Sequence, residues 1–184
     1  DQVAAPQREV PSSRVGMMQS FSPLVKATAP AVVNVYADRL VQRSASPFAG
    51  DPFFERFFGQ RMPNRTEKQS SLGSGVMIES SGIIITNNHV IEGADEIEVI
   101  FTDGSKLKAE VLGVDTKTDL AVLKVNPVKQ LTAVAFGDSD SMRIGDWVMA
   151  IGNPFGLGGT VTLGIISARG RDINSGPYDN FIQT

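Results

Sequence analysis

Residues 73–91 read GSGVMIESSGIIITNNHVI, and this stretch decides the fold. Two apolar runs, 73–78 and 83–86, are separated by the turn-forming residues 80–82. Short apolar runs bounded by serine and glycine predict β-strands joined by a tight turn, because a helix would need a longer periodic segment. His89, the only histidine in the chain, follows the second run closely. The segment therefore predicts a strand that delivers a histidine at its end.

Short strands of the same kind are predicted on both sides of this stretch. They are rich in valine and isoleucine, and Asp103-Gly104 between two of them is a strong signal for a two-residue hairpin turn. Closely spaced strands with turn residues between them indicate an antiparallel barrel or sandwich, and hence an all-β protein. The one helix we expect is a short amphipathic segment at 17–28. The additional predicted strands are 31–37, 96–101, 106–111, 118–125, 145–151 and 160–168.

The composition of the 184 residues excludes several classes of function. The net charge of −3 argues against a nucleic-acid partner, and the absence of cysteine excludes thiol catalysis. One histidine and no cysteine leave only carboxylates as further ligands, so we expect no metal and no cofactor. No run of 18 apolar residues is present, so no transmembrane segment is expected. The N-terminus at 1–6 lacks the pattern of a signal peptide, and we expect that any such peptide has been removed.

Asp119 lies thirty residues after His89 (119 − 89 = 30), near the start of the predicted strand 118–125. A histidine and an aspartate in such positions fit the base and the orienting acid of a serine-protease triad. A serine hydroxyl is a weak nucleophile, so an imidazole must take its proton and later return it to the leaving amine. The third residue should be a serine in a Gly-x-Ser-Gly-Gly setting, and the 184 residues contain no such segment.

Two other segments could be mistaken for functional motifs. Ser175 lies in the sequence Asn-Ser-Gly-Pro, which lacks the second glycine, so we do not expect it to be the nucleophile. The glycine-rich turn 152–159 lacks Gly-Lys-Ser/Thr, so we interpret it as a hairpin loop bordering the substrate cleft and not as a phosphate loop. Trp147 and Ile151, just before this turn, are predicted to lie in a barrel core.

Five segments in a fixed order carry a resemblance to a known family: Gly73–Val76, Thr86–Ile91, Thr118–Val125, Ala150–Gly156 and Asn180–Thr184. With them the sequence resembles the HtrA/Deg family of trypsin-like serine endoproteases, and within it the periplasmic DegP/DegQ branch. The resemblance extends over nearly the whole chain from residue 17. It implies a trypsin-like fold, with two six-stranded β-barrels and the active site between them, followed by PDZ domains.

The resemblance also divides the chain into parts. Residues 1–28 would be an N-terminal arm and trimerisation segment, and 29–135 would be a complete first β-barrel with a long loop at 42–71. Residues 136–184 would be the start of a truncated second barrel, and PDZ domains are absent from this chain. The loop contains five of the ten phenylalanines. It either folds onto its own core or docks onto another subunit or into a substrate groove, and it resembles the family's activation loop.

The same motifs imply the roles of the site residues. His89 would be the general base and Asp119 its orienting acid, while the serine loop would follow Thr184, so the 184 residues alone are expected to be inactive. The implied native protein is a periplasmic serine endopeptidase of stress response and protein quality control, which degrades unfolded or damaged polypeptides and assembles as trimers or multiples of trimers. The alternative is a catalytically inactive fragment, an oligomerisation or chaperone module that binds unfolded polypeptide.

Overall fold

The computed structural model describes residues 20–43, 65–152, 159–174 and 176–184. Its largest unit is a closed barrel of six antiparallel strands in the order β1-β2-β3-β6-β5-β4. The strands are β1 Val32–Arg43, β2 Arg65–Glu79, β3 Ile83–Asn87, β4 Glu96–Ile100, β5 Lys106–Asp115 and β6 Leu120–Val125.

Helices are short in the described residues. Helix α1, Ser22–Thr28, and a 3₁₀ turn at Ala29–Ala31 precede the barrel. The single-turn helix α2, Asn88–Ile91, follows β3 directly, and a second 3₁₀ turn spans Ser139–Ser141. None of these helices is long and apolar enough to cross a membrane. The predicted helix at 17–28 is therefore found from Ser22 onwards, and residues 17–19 lie outside the described residues.

The barrel is held together by apolar side chains that alternate along its strands. Such alternation places every second residue on the same face of a strand. Five of the six strands each contribute at least one side chain that is no more than 4% exposed, while those of β5 are only partly buried. The buried side chains are Val33, Val35 and Ala37 of β1, Met77 of β2, Ile84 of β3, Val99 of β4, and Ala121, Leu123 and Val125 of β6, with Leu107 and Ala109 of β5 packed against them. The all-β prediction is confirmed.

The loop predicted at 42–71 is shorter than expected at both ends. Strands β1 and β2 pair without interruption from Val32 and Val76 to Arg43 and Arg65. The polar residues near this end obtain hydrogen-bond partners across the ladder, so pairing overrides their low strand preference. Residues 44–64, which include the five phenylalanines, lie outside the described residues.

The predicted turn between β4 and β5 has three residues instead of two. The Gly104 N–H donates to the Phe101 carbonyl at 2.9 Å, and the Phe101 N–H donates to the Ser105 carbonyl at 2.9 Å. The loop is therefore 102–104, with Gly104 at a φ of 81°. Three-residue hairpin loops place their last residue in this left-handed region, which glycine adopts without strain.

Two small antiparallel sheets follow the barrel. Strand β7, Trp147–Gly152, pairs with β8, Thr160–Ile165, and β9, Ala168–Arg171, pairs with β10, Phe181–Gln183. Strand β7 ends against the barrel, since a Cβ on Gly152 would lie 3.3 Å from Ser74 Oγ.

Two predictions for this part of the chain were wrong. The strand predicted at 160–168 ends at Ile165. Strands β9 and β10 were not expected, because both are short, largely exposed and without regular alternation of apolar and polar residues. Trp147 is 61% exposed instead of buried, and its ring centroid lies 6.2 Å from that of Phe21, the residue before α1.

Candidate active site

His89 is presented to solvent by a turn whose other residues are anchored in the barrel. Strand β3 ends with Asn87, and just before it the buried Thr86 donates its hydroxyl to the Ser74 carbonyl at 2.8 Å. The next residues form α2, in which Val90 and Ile91 are buried in the apolar core. A single helical turn cannot bury all its side chains on one side. The imidazole therefore points outward, with a side-chain exposure of 69%.

Strand pairing brings Asp119 to the same place. In the β3–β6 ladder Asn87 is opposite Leu120, so the residue before β6 lies beside the end of β3. Asp119 Oδ2 is 2.6 Å from His89 Nδ1, and Asp119 Oδ1 accepts the His89 backbone N–H at 2.8 Å. The Asp119 carbonyl accepts the Asn88 N–H at 3.0 Å. A single aspartate thus holds both the ring and the backbone of the turn that carries His89.

Asp119 adopts an unusual backbone conformation to make these contacts. Its φ is 54°, in the left-handed region that few non-glycine residues occupy, and aspartate is among those that tolerate it. Such conformations have a cost of about 1–3 kcal/mol and persist where the surrounding contacts enforce them. Here those contacts are the bonds to Asn88 and His89.

The same bonds determine the charge state of Asp119. The backbone N–H and then the ring of His89 hold the pKa of the Asp119 carboxyl below its ordinary value, and the Asn87 side chain adds to this effect. A carboxylate that accepts several hydrogen bonds is favoured in its ionised form. Asp119 is therefore an anion at neutral pH and accepts a proton-bearing Nδ1. The other ring nitrogen, Nε2, has no hydrogen-bond partner among the described residues and is available to take a proton from a substrate or a nucleophile.

Two contacts at this site were not anticipated from the sequence. The Asn87 side-chain amide donates to the Asp119 carbonyl at 3.1 Å and to Oδ2 at 3.3 Å, so it helps to orient the carboxylate. Gly73 lies directly beneath Val90, the neighbour of His89. The contribution of Asn87 to the site could have been predicted from its position between the apolar run 83–86 and His89. The sequence contains no signal for the contact between Gly73 and Val90.

Gly73→Ala is expected to lower the free energy of unfolding by about 1–3 kcal/mol, the usual effect of overpacking. A Cβ on residue 73 would lie 2.5 Å from Val90 Cγ2, so Val90 and the turn that carries His89 would have to move. Urea denaturation measures the loss. Gly113→Ala is the matched control, because a Cβ there meets nothing within 4 Å. Equal unfolding midpoints for the two variants would contradict the packing of Gly73 against Val90.

Residues from the C-terminal part of the chain lie near Asp119. Asn87 and Asp119 share a cavity of about 460 Å³ with Tyr178 and Asn180. The residues that precede β10 therefore lie next to Asp119. Ser175 lies outside the described residues.

The closed barrel, the exposed histidine at the end of β3 and the aspartate at the start of β6 define a class of protein. The chain belongs to the trypsin-like peptidase domain family, whose match covers residues 73–184. Within that class its relatives are DegP-like proteases of the HtrA type, so the resemblance to the HtrA/Deg family is confirmed.

The similarity to these relatives is high over almost the whole chain. The "Probable periplasmic serine endoprotease DegP-like" of Brucella suis biovar 1 (strain 1330) is 44% identical, with 89% of this chain and 38% of the relative covered. The protein of the same description from Halomonas elongata is 45% identical, with 94% and 40% covered. The chain therefore spans about two fifths of the length of these relatives.

Solved structures give the same result. A variant of the HtrA-type protease AlgW with decapeptide superimposes with a TM-score of 0.76 at 45% identity, covering 90% of this chain and 50% of that one. The HtrA-type protease AlgW with decapeptide gives a TM-score of 0.70 at 46% identity, covering 90% and 51%. The trypsin-like fold predicted from the sequence is confirmed.

Proposed function

We propose that these residues form the base-and-acid half of a serine endopeptidase of the HtrA type, and that the nucleophilic serine comes from residues outside these 184. The observation that carries the proposal is the 2.6 Å contact between His89 Nδ1 and Asp119 Oδ2 at the end of a closed barrel. The 184 residues contain no Gly-x-Ser-Gly-Gly segment, and the DegP-like relatives are more than twice as long.

In the proposed reaction His89 moves a proton in two steps. Its Nε2 takes the proton from the serine hydroxyl while the serine oxygen attacks the scissile carbonyl of the polypeptide. The resulting imidazolium is stabilised by the Asp119 carboxylate through Nδ1–H. Nε2 then returns the proton to the leaving amine, and a water molecule releases the acyl group by the reverse sequence. Asp119 remains ionised throughout, in keeping with its lowered pKa.

We further propose a periplasmic location and a substrate class of unfolded or damaged polypeptides, as part of a stress response. The location is supported by the description of the relatives as periplasmic serine endoproteases. Extended polypeptide suits a cleft between β-sheets, because its backbone can pair with a free strand edge. We also propose the division of the chain that its sequence predicted. It consists of an N-terminal segment 1–28, a first barrel 29–135 and the start of a second barrel 136–184.

Self-association as trimers, or as multiples of trimers, is proposed for residues 1–28. It is supported by an apolar surface that the barrel does not cover. Phe21, Leu24 and Trp147 are 38%, 50% and 61% exposed, and the two rings lie against each other. Exposed apolar clusters of this kind are typical of protein interfaces.

A fluorophosphonate probe tests the proposed chemistry, because it labels only an activated serine. We expect no labelling of the 184 residues alone, and labelling of a form extended at the C-terminus by the sequence that follows in its gene. The extended His89→Ala variant is the control and should remain unlabelled. Labelling of the 184 residues at Ser175 would contradict our assignment of the nucleophile. An unlabelled extended form that folds would contradict the protease proposal itself.

A second candidate function is a chaperone or oligomerisation module that binds unfolded polypeptide without cleaving it. It is favoured by the end of β5, where Val111, Leu112 and Val114 are 47%, 58% and 54% exposed, with Leu120 of β6 beside them at 45%. Apolar side chains on both faces of a hairpin could hold an unfolded chain. The two functions differ in product: a chaperone suppresses aggregation of a denatured protein and leaves it intact, whereas the protease leaves peptides.

A further inference from the structure

A cavity of about 300 Å³ lies next to His89 at the open end of the barrel, on its β1 side. The proton transfers proposed for His89 and Asp119 make no use of it. Its lining includes His89, Arg39, Glu92, Ser70 and Ser71. The cavity is large enough for a substrate side chain, and an occupant would lie beside the imidazole that serves the scissile bond.

Arg39 lies on the same face of β1 as the core residues that precede it, but it is exposed. Val33, Val35 and Ala37 alternate into the core, and none of them is more than 4% exposed. Alternate residues of a strand share a face, so the next residue of this row is Arg39. On this face of β1, the row of apolar side chains is therefore followed by Arg39, which lines the cavity. Core packing does not account for a cation at this position.

The Arg39 guanidinium lies close to Gly93 and takes part in no ion pair of the described side chains. It packs on Gly93, where a Cβ would lie 3.1 Å from Nη1 and 3.3 Å from Cζ of Arg39. Gly93 has a φ of 69°, which also favours glycine at this close contact. Among the ion pairs of the described side chains, none includes Arg39. A cation without an ion-pair partner at the wall of a cavity is suited to an anionic ligand.

We propose that this cavity is a substrate subsite in which Arg39 selects an acidic side chain close to the scissile bond. The proposal rests on the proposed protease function and specifies its substrate class. A guanidinium binds a carboxylate through two parallel hydrogen bonds, which an amide of the same shape cannot match. The Ser71 hydroxyl lines the same cavity and provides a further donor. Glu92 opposes the selection, because its carboxylate lines the cavity and repels a second anion.

The test uses the active protease that contains these residues and pairs of peptides that differ only by Asp or Asn at one position flanking the scissile bond. For one position we expect kcat/KM to favour Asp over Asn by about tenfold, the effect of one hydrogen bond to a charged group. Arg39→Gln should reduce this ratio to about one, Arg39→Lys should retain part of it, and Glu92→Gln should increase it.

Lys129→Gln is the control for total charge. Lys129 pairs with Asp103 at the turn after β4, at the end of β4 remote from the cavity, and its removal should leave the ratio unchanged. If native protein shows no Asp preference at any position, or if Arg39→Gln lowers both rates and preserves the ratio, the subsite assignment is wrong. Absence of cleavage of every peptide, together with absence of fluorophosphonate labelling, would instead remove the protease proposal.

Discussion

His89→Ala is expected to lower kcat by on the order of 10⁶-fold in the active protease that contains these residues, the effect of losing a triad base in another serine protease. The loss should be this large because no other base is placed beside Asp119 among the described residues. The fold should survive, since the imidazole is 69% exposed and the backbone N–H of residue 89 keeps its bond to Asp119. Peptide hydrolysis and circular dichroism measure the two effects separately. Residual activity above about one per cent, against an expected 10⁶-fold loss, would contradict the role of His89 as general base.

Asp119→Asn is expected to lower kcat by about 10⁴-fold, since the corresponding change in another serine protease does so by reversing the imidazole tautomer. Asparagine also tolerates a left-handed backbone, and its carbonyl oxygen can still accept the His89 N–H. The fold should therefore be retained. The amide would, however, offer an N–H to Nδ1 and leave the ring proton on Nε2, where it blocks acceptance of the serine proton.

The single histidine makes this tautomer directly measurable. A ¹⁵N–¹H correlation spectrum at a pH where the ring is neutral reports one imidazole only. We expect the proton on Nδ1 in the native chain and on Nε2 in Asp119→Asn. Asp115→Asn is the matched control: Asp115 caps the Lys117 N–H at 3.0 Å and makes no contact with His89, so the native tautomer should persist. The same tautomer in native and Asp119→Asn protein would show that Asp119 does not orient the ring.

The pairing of His89 with Asp119 was predicted in part from local pattern. Each residue stands at the boundary of an apolar run, and the family resemblance assigned them complementary roles. The sequence pattern did not predict the register in which β3 and β6 pair. Asn87 opposite Leu120 is the pairing that places the carboxylate at Nδ1, and a shift of one residue would direct the side chains to the other face. The supporting contacts of Asn87 and Gly73 depend on the same register.

The errors occurred where neighbouring strands override local preference. The polar ends of β1 and β2 are paired strands instead of loop, because each supplies the hydrogen-bond partners of the other. Strands β9 and β10 are short and exposed, and the pairing of Phe181 with Arg171 makes them strands. Trp147 was assigned to a core from its apolar neighbours, but in the described structure Phe21, just before α1, is its aromatic partner and most of its surface is exposed.

Apolar alternation and the turns between strands, which are local properties, were enough to predict the all-β class, and the motifs around His89 and Asp119 were enough to propose these two residues for the site. Only the tertiary structure decided that one carboxylate binds both the ring and the backbone at His89. Only the tertiary structure placed Arg39 in the cavity beside the imidazole. Both depend on which strands lie side by side in a closed barrel, and that arrangement is set by long-range pairing.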